Sequence, residues 1–198
     1  MVKRNMFKFF KENYSKSWKH LLESKKFIWY AFVLFLISAL IGFIFPTPEF
    51  LRTYLIEMIQ NLTGQLEGLN GFEITRYIFF NNLKASFFAA ILGIVFGVFP
   101  LFVVLSNGYL IGFVSKIVTA QEGIFVLWRL LPHGIFEIPA VLISIGLGLK
   151  LGSISFQLKK YQNIKKEFIE LLRVFVFIVL PLLIVAAIIE GILVTFTG

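Results

Sequence analysis

The sequence predicts an all-α, polytopic membrane bundle of about five transmembrane helices in a single domain, with interfacial amphipathic helices and a helix in an outer loop. Hydrophobic residues make up 58% of the 198 residues. Several runs of about twenty residues carry few charges, as a helix needs to cross roughly 30 Å of hydrocarbon. No long polar stretch remains that could form a second domain. Cysteine is absent, which excludes disulfides, thiolate metal sites and cysteine nucleophiles.

The first part of the chain predicts a basic cytoplasmic segment followed by a retained helix. Residues 1–26 hold eight Lys or Arg against two Glu. Aromatic and leucine side chains recur among them at helical spacing, which is typical of a helix lying in the membrane interface; they are Phe7, Phe10, Tyr14, Trp18 and Leu21. The first span is predicted at 27–45. It ends at Pro46 without a small-residue cleavage site, so we interpret it as a retained helix and not as a signal peptide.

The next segment, 46–82, predicts an outer loop, because it carries only two Arg beside four Glu and cytoplasmic loops are rich in Lys and Arg. Thr47 is expected to cap a helix over 48–67 with Pro48 at its first position. One face of this helix is apolar, and we expect it to pack across the mouth of the bundle until the chain breaks at Gly68–Gly71. That face is formed by Leu51, Tyr54, Leu55, Met58 and Leu62.

Four further spans complete the prediction: 84–105, 108–129, 135–151 and 174–194. The second of these, at 108–129, is either continuous or broken, because Lys116, Gln121 and Glu122 interrupt it. The segment 152–173 is a second basic amphipathic segment. The charge pattern predicts a multi-pass cell-membrane protein with a cytoplasmic N-terminus and an outer C-terminus. The net charge of +8 lies beside hydrophobic runs, so anionic lipid head groups are the expected partners and nucleic acid is not.

Small residues recur every four positions in the predicted spans. Such rows let helices approach closely in lipid, and we expect packing within one bundle or, alternatively, between two copies in a homodimer. The row begins in the span at 84–105 and continues in the later ones: Ala85, Ala89, Gly93, Gly97, Gly108, Gly112, Gly148 and Gly152. Asn107–Gly108 also suits a tight turn between two spans, since both residues tolerate positive φ.

The most informative segment is Leu130–Glu137, which sets His133 and Glu137 four residues apart beside Pro132 and Gly134 in hydrophobic sequence. Ionisable groups at membrane depth cost a few kcal/mol unless a cavity, a partner or the interface receives them. The pair could transfer protons, form hydrogen bonds or help to hold a metal. Two ligands do not make a zinc site, so no metal and no cofactor is predicted.

The resulting prediction is a functional polar centre, which a broken third span would gather around one region. Its members are Pro132, His133, Gly134, Glu137, Asn107, Lys116 and Glu122. The alternative is a helix break at which imidazole and carboxylate satisfy each other. Glu190, in the last span, is another carboxylate in apolar sequence that either pairs with a cation or reaches water near the outer interface.

The pattern Pro-His-Gly-x-x-Glu at 132–137 resembles the stage II sporulation protein M-like family of bacterial and archaeal membrane proteins. Further matching residues are Asn81, Asn82, Gly93, Gly97, Asn107, Gly108, Gly146, Gly148, Lys150 and Gly152. The resemblance implies a helical membrane protein of about five spans. In spore formers the namesake resembles a scaffold that organises extracytoplasmic cell-wall hydrolases. Its relatives also occur in organisms that never sporulate, so the resemblance implies only the architecture and the binding of a partner for this chain.

Three functional hypotheses follow. The first is a non-enzymatic membrane scaffold whose outer helix recruits an extracytoplasmic or membrane protein partner. The second is a transporter or channel for a small solute or lipid, with a polar cavity around the Pro-His-Gly-x-x-Glu motif. The third, an intramembrane hydrolase using His133 and Glu137, has no evident nucleophile.

Overall fold

The computed structural model describes residues 2–156 and 161–197, with side chains at 6–127, 134–155 and 162–189. This part of the chain forms α-helices and contains no strand. The helices are α1 Val2–Glu23, α2 Lys25–Ile44, α3 Glu49–Leu66, α4 Gly71–Ile91, α5 Val98–Glu122, α6 Leu131–Phe156, α7 Tyr161–Val174 and α8 Leu180–Thr197. Short 3₁₀ turns occupy Leu92–Ile94 and Ile124–Leu130, and a π-helical turn at Phe175–Val179 joins α7 to α8.

Five helical stretches within the described residues are long and apolar enough to cross a membrane: Lys25–Ile44, Gly71–Ile94, Val98–Glu122, Gly134–Ser155 and Gln162–Ile189. The predicted class, an all-α membrane bundle of about five spans, is therefore confirmed. A helix needs about twenty residues to cross the hydrocarbon layer, and each stretch reaches that length.

Helices α2 and α5 pack against each other in parallel. Ser38 Oγ on α2 donates a hydrogen bond to the carbonyl oxygen of Leu105 at 2.6 Å. Further along both helices, Lys116 Nζ donates to the carbonyl oxygen of Phe45 at 2.9 Å. Contacts that advance together along both helices require the two helices to run in the same direction.

Helix α6 is the centre of the bundle, because it contributes to each of three buried clusters. It supplies Leu142 and Ile145 to a cluster with α2, α4 and α5. It supplies Leu147 and Leu151 to a second cluster with α4, α7 and the π-helical turn. Ala140 joins a third cluster with that turn and α8. The other spanning helices thus pack around α6.

The two basic segments lie at one end of the bundle, which we call the basic end: the last turns of α1, the part of α6 around Lys150, and α7. Lys150 Nζ donates to Ser24 Oγ at 3.1 Å, and His20 on α1 contacts Glu167 on α7. The α3 end is the other end of the bundle, where α2 stops at Phe45, α3 follows, and α4 begins at Gly71.

The span predicted at 84–105 is wrong, because the chain reverses inside it. Helix α4 ends at Ile91 and α5 begins at Val98. Phe96 and Gly97 between them have φ angles of 53° and 71°, in the left-handed region that reverses a helix and that glycine adopts without steric cost. The turn is apolar throughout, so hydropathy could not separate the two helices.

Within the predicted third span, 108–129, the α-helix ends at Glu122 and a 3₁₀ turn follows from Ile124. The predicted turn at Asn107–Gly108 is wrong. Both residues lie inside α5, which is continuous from Val98 to Glu122. Gly108 serves packing: a Cβ there would lie 2.6 Å from the carbonyl oxygen of Phe35. The predicted span at 108–129 is therefore ten residues too late at its start. The fourth predicted span, 135–151, is too short, because α6 continues to Phe156.

Helix α3 begins one residue later than predicted. Its N-cap is Pro48 and no side chain caps it; Thr47 instead accepts a hydrogen bond from the Tyr109 hydroxyl at 3.1 Å. On the predicted apolar face Leu55 is buried, Leu51 and Met58 are half-buried, and Tyr54 and Leu62 are exposed. The chain then breaks at Gly68, where φ is +78°.

Candidate functional site

The structure does not gather the predicted polar centre. Asn107 is exposed on α5, and its amide donates to the carbonyl oxygen of Val103 in the same helix at 2.8 Å. Lys116 is half-buried and caps the last carbonyl of α2 at Phe45. Glu122 is exposed at the end of α5. These three side chains share no common region, because α5 is a regular helix and presents them at different heights.

The rest of the predicted centre lies at the start of α6. The side chains of Pro132 and His133 lie outside the described residues, as does that of Glu190. Gly134 and Glu137 are half-buried. Glu137 lines a narrow crevice between α4, α6 and α8, beside Asn82 and Leu183, with an empty volume of about 170 Å³ and no space for a water molecule. A solute cavity of the size typical for small ligands, roughly 300 Å³ or more, is absent from this crevice.

A buried polar cluster at the basic end was not predicted. Glu167 on α7 is 8% exposed and His20 on α1 is 6% exposed. Glu167 Oε1 lies 2.9 Å from His20 Nε2 and 3.0 Å from Lys150 Nζ. One carboxylate oxygen therefore binds a histidine from α1 and a lysine from α6, and the cluster ties three helices together.

Nε2 of His20 carries a proton, because it lies 2.9 Å from Glu167 Oε1 and a carboxylate oxygen can only accept. Lys150 Nζ, which lies 3.3 Å from Nε2, donates to the same oxygen. Lys150 also donates to Ser24 Oγ, whose hydroxyl donates to the His20 carbonyl at 2.7 Å. Buried charges are tolerated when they are paired and hydrogen-bonded in this way.

The cluster also explains how α1 is oriented. Its polar side chains Ser17, His20 and Ser24 face the bundle and are buried, whereas its aromatic side chains are exposed. Ser17 Oγ donates to the carbonyl oxygen of Arg173 at 3.2 Å. Phe7, Tyr14 and Trp18 are thus exposed, the arrangement expected of a helix that lies in the membrane interface. Phe10 is partly exposed as well, and its ring packs against Phe177 with 6.0 Å between the ring centroids.

A groove of about 550 Å³ opens beside this cluster, between α1 and α7. Two of its carboxylates are paired within the protein: Glu167 with Lys150 and His20, and Glu170 with Arg173. Lysines also line it. The groove lies at the basic end, next to the segments in which the sequence analysis expects anionic lipid head groups.

The sequence analysis missed this cluster for a physical reason. His20 and Glu167 are 147 positions apart in the chain, so no local spacing joins them. The available signal was the row Ser17, His20 and Ser24, which is a polar face in a helix whose other face is aromatic. Such a face predicts a polar partner, but it does not identify that partner.

The small residues of the predicted row lie where helices pack against each other, with one exception. A Cβ at Gly112 would collide with the carbonyl oxygen of Ala39 on α2, and a Cβ at Gly93 with that of Gly148 on α6. The backbones of these helices are thus in direct contact, as small residues permit in membranes. The remaining members of the row behave alike: Ala89 and Gly97 are buried, as are Gly108, Gly148 and Gly152. The exception is Ala85, which is exposed.

Helix α3 presents exposed aromatic side chains at the α3 end. Phe50 is 79% and Tyr54 is 63% exposed, and Leu55 is its one buried residue in the described part of the chain. At the start of α4, Phe72 is 75% exposed. Tyr77 on α4 donates to Gln65 on α3 at 2.5 Å and fixes the end of α3 against α4. Phe50 and Tyr54 thus lie exposed on α3, outside the membrane-spanning helices, and Phe72 lies exposed in the first turn of the spanning stretch Gly71–Ile94.

The fold and these contacts define a polytopic α-helical membrane protein with a closely packed interior. Residues 31–195 match the stage II sporulation protein M family, and the chain belongs to that family. It is 30% identical over 186 residues to an uncharacterized protein of Methanocaldococcus jannaschii, covering 87% of this chain and 83% of that protein. No solved structure matches the chain.

Proposed function

We propose that this protein is a non-enzymatic integral membrane scaffold that recruits an extracytoplasmic or membrane protein partner through its α3 end. The observation that carries the proposal is the exposed aromatic surface of α3, with Phe50 79% and Tyr54 63% exposed. Exposed apolar patches of this kind mark interaction sites in many proteins. Aromatic side chains are also enriched among the interface residues that contribute most of the binding free energy.

The charge pattern supports the orientation that the scaffold requires. The basic end holds both Lys-rich segments, whereas the loop that contains α3 carries few basic residues. By the positive-inside rule the basic end is cytoplasmic. The α3 end then faces outward, with α8 ending on the same side.

The packing of the interior favours a scaffold over the alternative, a transporter or channel. Transport requires a polar cavity that runs between helices. Here helix backbones touch at Gly93 and Gly112, and the crevice beside Glu137 does not admit water. Asn107, Lys116 and Glu122, three of the residues expected around one polar region, lie at different heights along α5.

The proposal is tested by introducing a photo-reactive residue at Phe50 or Tyr54 in native membranes. The control position is Phe102 on α5, which is 67% exposed within a spanning helix. We expect protein adducts from Phe50 and Tyr54 and lipid adducts alone from Phe102. Lipid adducts from all three positions, together with a solute flux in proteoliposomes that Glu137→Gln reduces, would favour the transporter instead.

A further inference from the structure

Helix α4 exposes a row of charged and polar side chains on the face that points away from the bundle. Glu73, Arg76, Asn81 and Lys84 are all exposed, and they line an open groove of about 610 Å³ with Tyr77 and Phe80. The row, which we call the α4 stripe, extends about 16 Å along the helix at 1.5 Å per residue. It lies in the stretch Gly71–Ile94, one of the five that can span a membrane.

The inner part of the stripe lies at the middle of the apolar layer. Residues 27–45 of the first span carry no charge, and Phe35 is near their centre. A Cβ at Gly146 on α6 would touch Ile28 on α2, and α6 runs towards the basic end while α2 runs away from it, so Ile138, eight residues before Gly146, lies about level with Leu36. Glu137, one residue earlier, lines the crevice with Asn82. Asn82 is therefore at the depth of Phe35, and Lys84 lies within one helical turn of it.

A lysine at this depth cannot face lipid without cost. A charge at the centre of the bilayer costs at least about 2.5 kcal/mol, and side chains escape to the interface by snorkelling only near helix ends. Within the described part of the chain, neither Arg76 nor Lys84 has an ion-pair partner. Glu73 accepts from the backbone N–H of Asn70 at 2.9 Å and lies about 16 Å along the helix from Lys84, too far to neutralise it. Something outside this chain has to cover the stripe.

We propose that the α4 stripe is the docking surface for a transmembrane helix of a partner protein that carries a carboxylate at the depth of Lys84. The inference rests on the proposed scaffold function and describes the membrane part of its partner. Arg76 and Lys84 give the stripe an excess of positive charge, which a carboxylate neutralises. Asn81 adds an amide that forms a hydrogen bond between helices.

A second copy of this chain fits the stripe less well. In a two-fold dimer with its axis along the membrane normal, equivalent residues lie at equal depth. The stripe of the second copy would then offer Lys84 no carboxylate at its own depth, and the two buried ammonium groups at equal depth would repel each other. The charge pattern therefore selects a different protein with an acidic residue in an apolar segment.

The experiment places a photo-reactive residue at Phe80, which is 46% exposed and lies within the stripe, in native membranes. We expect an adduct whose partner peptide contains Asp or Glu within an apolar run. Lys84→Met should lower the adduct yield at least about tenfold, because the substitution removes one ion pair from a site that excludes water. Lys165→Met, which removes the same charge at the basic end, should leave the yield unchanged. Lys84→Glu should abolish the adduct, and Lys in place of the partner's carboxylate should restore it.

Three results would overturn the inference. Lipid adducts alone would mean that the stripe faces the bilayer, and an adduct to this protein's own peptides would mean that a second copy covers it. Because the chain contains no cysteine, the variant Asn81→Cys introduces a single thiol that a reagent can modify selectively. Rapid reaction of this thiol with a membrane-impermeant reagent would show that the groove is filled with water. If Phe50 and Tyr54 form protein adducts while Phe80 does not, the scaffold proposal survives and the α4 docking surface does not.

Discussion

Replacing Glu167 with alanine tests whether the buried cluster holds α1 and α6 on α7. The substitution removes one carboxylate oxygen that accepts from His20 at 2.9 Å and from Lys150 at 3.0 Å. The side chain of Lys150 is only 14% exposed, so its ammonium would keep Ser24 as its remaining hydrogen-bond acceptor in the cluster. Removing one partner of a buried ion pair costs about 3 to 5 kcal/mol. Two hydrogen bonds to a charged group, at about 1.5 to 3 kcal/mol each, give a similar range.

The assay is unfolding of the purified protein in mixed micelles with increasing sodium dodecyl sulfate, followed by tryptophan fluorescence. Glu12→Ala is the matched control, because Glu12 pairs with Lys8 at 3.9 Å on an exposed helix face and such surface pairs contribute little. The double variant Glu167→Leu/Lys150→Met should recover part of the loss, since it leaves no unpaired buried charge in this pair but still removes the acceptor of His20 Nε2. The reasoning is refuted if Glu167→Ala unfolds at the same detergent fraction as Glu12→Ala.

Three further predictions concern the packing and the ends of the helices. Gly112→Ala should lower the free energy of unfolding by about 1 to 3 kcal/mol in the same assay, because its Cβ would meet the carbonyl of Ala39. The control Gly64→Ala, where nothing lies within 4 Å of a Cβ, should not destabilise the protein. Equal losses of stability in the two variants would contradict the packing argument. Ser38→Ala removes an interhelical hydrogen bond of 2.6 Å and should cost about 0.6 kcal/mol; an unchanged unfolding midpoint would mean that this bond contributes nothing. Asn70→Ala removes a capping box at the start of α4 and should speed hydrogen exchange in its first turn, at a cost of about 1 kcal/mol; unchanged exchange would show that the cap is dispensable.

The sequence was sufficient for the class of fold, and some elements follow directly from it. The first span is predicted at 27–45 and observed as Lys25–Ile44, because lysines and Pro46 bound a long apolar run. The helix predicted at 48–67 is observed as Glu49–Leu66, since Pro48 and Gly68 mark its ends. Charges and helix breakers beside apolar runs are local signals, and local signals fix local boundaries.

The elements that the sequence analysis misplaced lack such a boundary. The chain from Leu92 to Gly97 is apolar although it turns, so the span at 84–105 seemed continuous. Asn107 and Gly108 have the residue types of a turn, yet in a membrane Gly108 serves close approach to Phe35. Local turn chemistry is overridden where tertiary packing uses the same residue for another purpose.

The candidate site shows the same limit more strongly. The motif Pro-His-Gly-x-x-Glu drew attention to Glu137, which lines the crevice with Asn82. Whether the motif residues carry a function stays a prediction. The buried cluster of His20, Lys150 and Glu167 depends on contacts between distant parts of the chain, and only the three-dimensional arrangement brings them together.

The scaffold proposal is tested most directly by the composition of the protein purified from native membranes in mild detergent. Three tagged forms are compared: the unmodified chain, Phe50→Ser/Tyr54→Ser on α3, and Phe7→Ser/Phe10→Ser on α1, which removes two equally exposed aromatics at the other end. We expect a partner in fixed stoichiometry with the unmodified chain and with the α1 variant, and its loss from the α3 variant. The same composition in all three forms, or no partner in any, would contradict the account.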